Sequence, residues 1–465
     1  MIVKSFFEPL IAQNSYLIGC GTAGEAIVID PTRDVQRYID AAAAENLRIT
    51  HVTETHIHAD FVSGARELAQ RTGARLCLSD EGDQDWKYQY DHDRKIKHGD
   101  RMAIGSVSID VLHTPGHTPE HLTFLITDNA AADQPIAAVT GDFLFVGDVG
   151  RPDLLEKAAK IAGTMESSAK TLWRSLQQFL QYPDWLQIWP GHGAGSSCGK
   201  GISAVPHSTL GYERLFNWAL KVKSEGEFVT NVLSGQPDPP PYFAIMKRVN
   251  RDQGSGSRDQ GVGSQESTVK SSVKSSVNSS VNSSVNSSVE SVIDGGGLVI
   301  DTRPADVYAR GHVPGTLNIP LGGSFITWAG WLVPYDQDFY LVTDRRDEVR
   351  RALALIGLDR IAGYFAEATA IGAERIDQVG PADLDGTFVI DVRHASEWNH
   401  GHLPSAIHIP LGQLAERIAE VPDDKPIVVH CQGGGRSSIA ASLLQKMGRK
   451  HVANLAGGYK AWLAQ

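Results

Sequence analysis

His56-Ile57-His58-Ala59-Asp60-Phe61 follows the β-branched run Ile49 to Glu54 and sets two imidazoles and a carboxylate within five residues. On a short loop at the carboxyl end of a strand, such side chains can converge on one ion, and imidazole and carboxylate suit first-row metals. The sixth residue breaks the pattern, because the ring of Phe61 has no atom that binds metal. Upstream, Tyr16-Leu17-Ile18 and Ala26-Ile27-Val28-Ile29-Asp30 read as strands and Val35 to Asn46 as a helix. Downstream come three more stations: Thr114-Pro115-Gly116-His117-Thr118, Thr140-Gly141-Asp142 and Trp189-Pro190-Gly191-His192-Gly193.

The whole chain sets the frame for that motif. Its 465 residues suggest about three domains. A composition 42% hydrophobic and 21% charged is that of a globular chain, and no apolar run approaches the ~20 residues needed to span a bilayer. No membrane association is expected. A net charge of −11 opposes the basic footprint of a nucleic-acid binder. Cys20, Cys77, Cys198 and Cys431 are scattered singly, without zinc-ribbon spacing or disulfide density, and read as free thiols. Met1-Ile2-Val3-Lys4-Ser5 lacks the basic start and apolar core of a signal peptide, so a cytoplasmic protein is expected.

Residues 251–296 change texture, running through Gly and Ser into a Ser-Ser-Val-Asn repeat. With few large apolar side chains this segment cannot offset its ordering entropy, and it reads as a linker. Beyond it the chain repeats itself at an offset of 90 residues. Val299-Ile300-Asp301-Thr302-Arg303, Gly311-His312-Val313-Pro314 and Asn318-Ile319-Pro320-Leu321 return as Val389-Ile390-Asp391-Val392-Arg393, Gly401-His402-Leu403-Pro404 and His408-Ile409-Pro410-Leu411. One small domain has been duplicated, and each copy alternates strand and helix patterns, as in Ile427 to His430 followed by Ser438 to Met447. Each is expected to be a parallel α/β sheet. The expected domains are 1–250, the linker 251–296, 297–375 and 376–465.

The four stations, in this order, resemble the metallo-β-lactamase superfamily over residues 1 to 248, which implies an α/β fold, an αβ/βα sandwich. In its dinuclear hydrolases of the glyoxalase II type the first motif ends in a histidine that helps hold a second metal, and Phe61 occupies that place here. The branch without that histidine resembles persulfide dioxygenases, which keep one non-haem Fe(II) per chain on two histidines and a carboxylate. Position by position, the resemblance implies His56, His117 and Asp142 as the metal ligands. It leaves His58, Asp60 and His192 beside them, as supporting groups or remnants of a second metal site. The implied reaction is R-S-SH + O₂ + H₂O giving R-SH and sulfite, and zinc, having no redox chemistry, cannot supply it. His121 and His207 are expected to be satisfied polar residues, and Arg151, Tyr212 and Arg214 are candidates to line the thiol-carrier site that read more readily as surface or packing residues. Cys198, in a small-residue loop six residues past His192, is a candidate sulfur acceptor equally readable as a buried, inert thiol.

The duplicated copies resemble rhodaneses. The second carries Cys431-Gln432-Gly433-Gly434-Gly435-Arg436-Ser437 between a strand and a helix, where Gln432, Gly433, Gly434 and Gly435 would cradle sulfur and Arg436 would lower the thiol pKa. Four residues between Cys431 and Arg436 match sulfurtransferase loops, whereas related phosphatase loops enclose five. Aligning Tyr340-Leu341-Val342-Thr343 with Ile427-Val428-Val429-His430 puts Asp344 in the cysteine's place, so the first copy is expected to be catalytically dead, with Trp328 and Trp331 in its core. The sequence therefore implies an iron persulfide dioxygenase fused to a pseudo-rhodanese and an active rhodanese, acting in sulfide detoxification on a small thiol persulfide, O₂ and sulfite or thiosulfate. Tethering would limit sulfite escape. A homodimer is the base-rate expectation. The rival is a dinuclear zinc thioester hydrolase carrying a rhodanese binding module.

Overall fold

The computed structural model describes residues 1–157, 163–236, 238–252, 288–366 and 374–464, which gather into two compact units. Among these residues no helix is long and apolar enough to cross a membrane. In the N-terminal unit, β1 (Ile2–Glu8), β2 (Gln13–Cys20), β3 (Glu25–Ile29), β4 (Arg48–Thr53), β5 (Arg75–Ser79) and β6 (Arg94–Ile96) form one sheet in that order, antiparallel as far as β3 and parallel from there on. A second sheet has the order β12-β11-β10-β9-β8-β7, from β7 (Arg101–Ile104), β8 (Val107–His113), β9 (Leu122–Asp128), β10 (Ala137–Gly141), β11 (Gln187–Pro190) and β12 (Ser208–Thr209). Only its β10–β11 pair is parallel.

Side chains alternate faces along a strand, and β2 is buried on both. Tyr16 and Ile18, with Ile27 and Ile29, meet Ile109, Val111, Phe124, Ile126 and Val139 between the two sheets. Leu17 and Val28 point the other way, onto Tyr38 and Ala42 of the helix Gln36–Ala44 and Leu68 of the helix Ala65–Thr72. Beyond the second sheet, Ala138 and Ile188 pack with Leu172, Leu176 and Phe179 of the helix Met165–Phe179. Each fully buried Ile, Val, Leu or Phe stabilises this arrangement by about 1.5–3 kcal/mol. The result is the expected sandwich, helices outside and two sheets within. The expected helix from Val35 ends early because Asn46 turns left-handed, at φ 55°.

The C-terminal unit holds two all-parallel sheets. β13 (Leu298–Asp301), β14 (Leu317–Asn318), β15 (Phe339–Val342) and β16 (Ile361–Phe365) take the order β14-β13-β15-β16. β17 (Asp377–Val379), β18 (Phe388–Asp391), β19 (Ala406–His408), β20 (Ile427–His430) and β21 (Val452–Leu455) take the order β17-β21-β20-β18-β19. Leaving out β17, the second order is the first one repeated, so the 90-residue duplication is visible in topology. Trp328 is buried in the helix Phe325–Leu332, and Trp331 is half-buried.

The expected linker is too wide at both ends. Arg251 and Asp252 close the helix Tyr242–Asp252, and residues 289–294 form the helix Val289–Asp294. The Ser288 hydroxyl caps the latter by accepting from Ser291 N–H, and Val289 packs on Val299, Val313 and Val342. The Ser-Val repeat had concealed this one amphipathic turn. Residues 253–287, with most of the repeat, lie outside the described residues.

Candidate metal centre and cysteine loop

β4 ends at Thr53 and delivers Glu54, Thr55 and the histidine motif into the space between the sheets. Asp30, at the end of β3, accepts from Thr55 N–H (2.6 Å) and from the Thr55 hydroxyl (2.9 Å). That hydroxyl in turn accepts from Nδ1–H of His56 (2.9 Å), leaving the His56 Nε2 lone pair free. His117 repeats the device by giving Nδ1–H to the Arg151 carbonyl (3.1 Å). His192 gives its own to the carbonyl of Ala12 (3.1 Å), a residue held at φ 51°. The three Nε2 atoms face one carboxylate oxygen, Asp142 Oδ2, at 4.0 Å from His56 and 3.5 Å from both His117 and His192.

Two groups of three ligand atoms emerge, each with its members within 4.8 Å of one another: His56, His117 and Asp142, and Asp60, His192 and Cys198. All six residues are buried. Both oxygens of Asp142 and of Asp60, and His192 Nε2, have no hydrogen-bond partner. Burial holds the His56 and His117 imidazoles below their ordinary pKa, and neighbouring histidines push His56 down further. Burial also raises the Asp60 carboxyl, and it raises the Cys198 thiol, helped by the carboxylates of Asp60 and Asp142. A buried, unpaired carboxylate costs several kcal/mol, so neutral imidazoles around Asp142 fit a divalent cation.

His58 joins neither group. Its Nε2 lies 3.1 Å from Asp30 Oδ1, and although burial opposes its charge, Asp30, Glu54 and Asp60 raise its pKa to about 9. Asp30 thus takes up Nε2, while the buried Nδ1 of His58 has no hydrogen-bond partner. Phe61 is fully buried with its ring 4.5 Å from that of His58, and its carbonyl accepts from Asn250 Nδ2 (2.7 Å). His121 is satisfied twice, by the Thr114 hydroxyl (2.9 Å) and by accepting Asp142 N–H (3.1 Å). The His207 ring lies tilted beside those of Tyr16 and Trp189, its centroid 6.2 Å from each. Arg151 is no surface residue: it is wholly buried, paired with Asp153 (2.8 Å), and donates to the Ser197 carbonyl (3.0 Å) beside Cys198. Tyr212 is 52% exposed, and Arg214 pairs with Asp184.

Asp30, Thr55, Glu120 and the Ala12 carbonyl carry much of the centre and are absent from the motif reading. Glu120 Oε1 accepts Ile57 N–H (2.8 Å), fixing the loop between the two histidines. Gly191 is needed for close approach, since a Cβ there would meet Asp142 Oδ1.

In the C-terminal unit, Cys431 follows β20 and its sulfur accepts from Gly434 N–H (3.1 Å) and the Ser437 hydroxyl (3.5 Å) at the start of the helix Gly435–Lys446. Burial opposes the thiolate, but the Ser437 hydroxyl, the main-chain N–H groups of Ser437 and Gly433, and Arg436 outweigh it and lower the thiol pKa. Gly458, at φ 59°, lets the next turn press on the Cys431 carbonyl, which a Cβ would strike. In the other copy the strand pairings put Thr343, and not the expected Asp344, in the place of Cys431, because Val342 lies beside Asp301 as His430 lies beside Asp391; Thr343 is buried and Asp344 exposed. All four cysteines are free and buried.

The family model of the metallo-beta-lactamase superfamily matches residues 9–192, and that of the rhodanese-like domain matches residues 374–465. A solved metallo-beta-lactamase from Staphylococcus aureus subsp. aureus COL is 42% identical, with a TM-score of 0.68, covering 78% of this chain and 98% of its own. The chain belongs to the metallo-beta-lactamase superfamily. Within that superfamily, the mitochondrial persulfide dioxygenase ETHE1 of Bos taurus is 27% identical over 49% of this chain and 79% of its own length. The hydroxyacylglutathione hydrolase of Methylobacterium nodulans is 30% identical over 41% of this chain and 66% of its own. Identity does not choose between a dioxygenase and a hydrolase, so the metallo-beta-lactamase domain must be read from its site.

Proposed function

We propose that the chain oxidises a low-molecular-weight thiol persulfide with O₂ to sulfite at one non-haem iron held by His56, His117 and Asp142, and passes sulfur through Cys431. The observation that carries this reading is Phe61, a fully buried ring where the glyoxalase II motif places a ligand, beside a His58 committed to Asp30. When bound, Fe(II) on two histidines and a carboxylate supplies the redox chemistry toward O₂ that zinc lacks. The chain's own part is to present two neutral Nε2 donors and one carboxylate from a site closed to bulk water. Asp60 and His192, 3.3 Å apart, line the adjoining wall with Cys198, whose thiol burial keeps neutral and so weakly nucleophilic.

The same wall favours a second reading, a dinuclear zinc thioester hydrolase, because Asp60, His192 and Cys198 form a ligand group of their own. On the first reading, residues 297–375 are a degenerate rhodanese copy, with Thr343 in the cysteine's place unable to carry sulfane sulfur, and residues 376–465 are the working one. Purified protein that consumes O₂ only when given a glutathione or coenzyme A persulfide supports the dioxygenase. Two zinc ions per chain and thioester cleavage without O₂ support the hydrolase.

A further inference from the structure

The two copies in the C-terminal unit differ at the partner of the loop arginine, a position that the loop motif does not mark. Glu397, on the helix Ala395–Asn399, accepts two parallel donations from the Arg436 guanidinium, at 2.6 and 2.7 Å. In the other copy the 90-residue offset puts Val307, on the helix Ala305–Arg310, where Glu397 stands. The strand pairings put Thr343 where Cys431 stands, since Val342 lies beside Asp301 as His430 lies beside Asp391, and the loop that follows Thr343 has no glycine. A pair that only stapled helix to loop would serve both copies equally. This one occurs with the cysteine and is lost, with Val307 in the place of Glu397, where the cysteine is gone.

The fork geometry fixes the guanidinium plane, and the pair is only part-exposed, at 20% for Arg436 and 29% for Glu397. The other arginine at the loop is matched in the same way. Arg393 pairs with Asp391 (2.7 Å), lies 4.1 Å over the Tyr459 ring and donates to Gln432 Oε1 (3.0 Å). His430, 3.6 Å from Asp391, is held below its ordinary pKa by burial. On the remaining side Tyr459 gives its main-chain N–H to the Cys431 carbonyl, and Lys460 gives its own to that of Gln432. Both arginines therefore stand opposite a carboxylate, and the sulfur is reached by the Gly434 N–H and the Ser437 hydroxyl, with the Arg436 guanidinium and the main-chain N–H groups of Gly433 and Ser437 beside it.

We propose that Glu397 is a positioning residue of the Cys431 loop, fixing Arg436 beside the sulfur while offsetting its charge, so that the loop carries a singly charged sulfane sulfur and holds dianionic sulfite and thiosulfate weakly. This rests on the reading of Cys431 as a sulfur-carrying nucleophile. The step served is Cys431–S–S⁻ + SO₃²⁻ → Cys431–S⁻ + S₂O₃²⁻. The sulfite sulfur lone pair forms the new S–S bond to the outer sulfur, and the electron pair of the broken bond stays on Cys431. A weak hold on the dianionic product lets it leave and frees the loop for another sulfur.

The test uses the full chain, with the pH dependence of iodoacetamide labelling at Cys431 read by peptide mass spectrometry, together with the KM for sulfite and for thiosulfate. Glu397→Gln keeps the shape of the side chain and removes its charge. It should move the labelling midpoint down by about 0.5–1 pH unit and lower both KM values by about 3–10-fold. Both effects should disappear when Arg436→Gln is already present. The double change Glu397→Val, as in the other copy, with Arg436→Gln should fold and label more slowly near neutral pH. A midpoint unmoved by Glu397→Gln, or moved equally without Arg436, overturns the proposal while leaving Cys431 a nucleophile. Failure of Cys431 to label in any protein at any pH overturns both.

Discussion

Replacing Asp142 by Asn should stabilise the metal-free protein and abolish its response to metal. Asp142 is fully buried with neither oxygen hydrogen-bonded, and burial holds the facing His56 and His117 neutral, so without a cation its charge lacks compensation from those rings. An uncompensated buried charge costs about 3–5 kcal/mol, and a neutral amide without full partners still costs about 1–3 kcal/mol, which leaves a gain of about 2 kcal/mol for Asp142→Asn in chelator. For a unit of this size that is a rise in Tm of roughly 4–8 °C. Wild-type protein should instead gain about 2.7 kcal/mol when Fe(II) is present at one hundred times its Kd, and the variant should gain nothing. Anaerobic scanning calorimetry with chelator and then with Fe(II) reads both. A metal-free Asp142→Asn protein less stable than wild type, or one whose Tm still climbs with Fe(II), would refute the assignment of Asp142 as a charged ligand.

Phe61→His should bring metal content from one toward two ions per chain, measured by elemental analysis, at about 1–3 kcal/mol of stability for burying an imidazole in a phenyl site. Glu120 is raised by burial to about 7, against a partial lowering by the Ile57 N–H, so the folded state binds its proton more tightly than the unfolded state does. Its effect on stability is absent below about pH 4.5 and grows unfavourable as pH rises to about 7; Glu120→Gln should match wild type near pH 4 and exceed it above pH 7, by up to about 3 kcal/mol in urea titrations. Cys431→Ser should leave persulfide-dependent O₂ uptake intact and remove thiosulfate formation from persulfide and sulfite, as chromatography of the products would show.

Most of the fold was legible because strand burial leaves a periodic trace, as in β2 and β4, and because the duplication preserves Asp-x-Arg and Ile-Pro-Leu in both copies. The residues around the candidate centre were legible where chemistry demands a side-chain type, at His56, His117 and Asp142. What was hidden acts through geometry. Asp30 reads as the end of a strand until its two oxygens are seen holding Thr55 and His58, and the Ala12 and Arg151 carbonyls have no sequence signature at all. Glu397 lies 39 residues from Arg436, too far for any local pattern to pair them. The helix Val289–Asp294 was lost because a single buried turn looks like the repeat that precedes it.

The central claim, one redox-active metal and not two hydrolytic ones, is tested most directly by measuring O₂ consumed per persulfide supplied to protein of known iron content. The account predicts one iron per chain and one O₂ taken up for each sulfite formed, with no activity when zinc replaces iron. Persulfide left unconsumed by fully iron-loaded protein, or full activity with zinc, would contradict it.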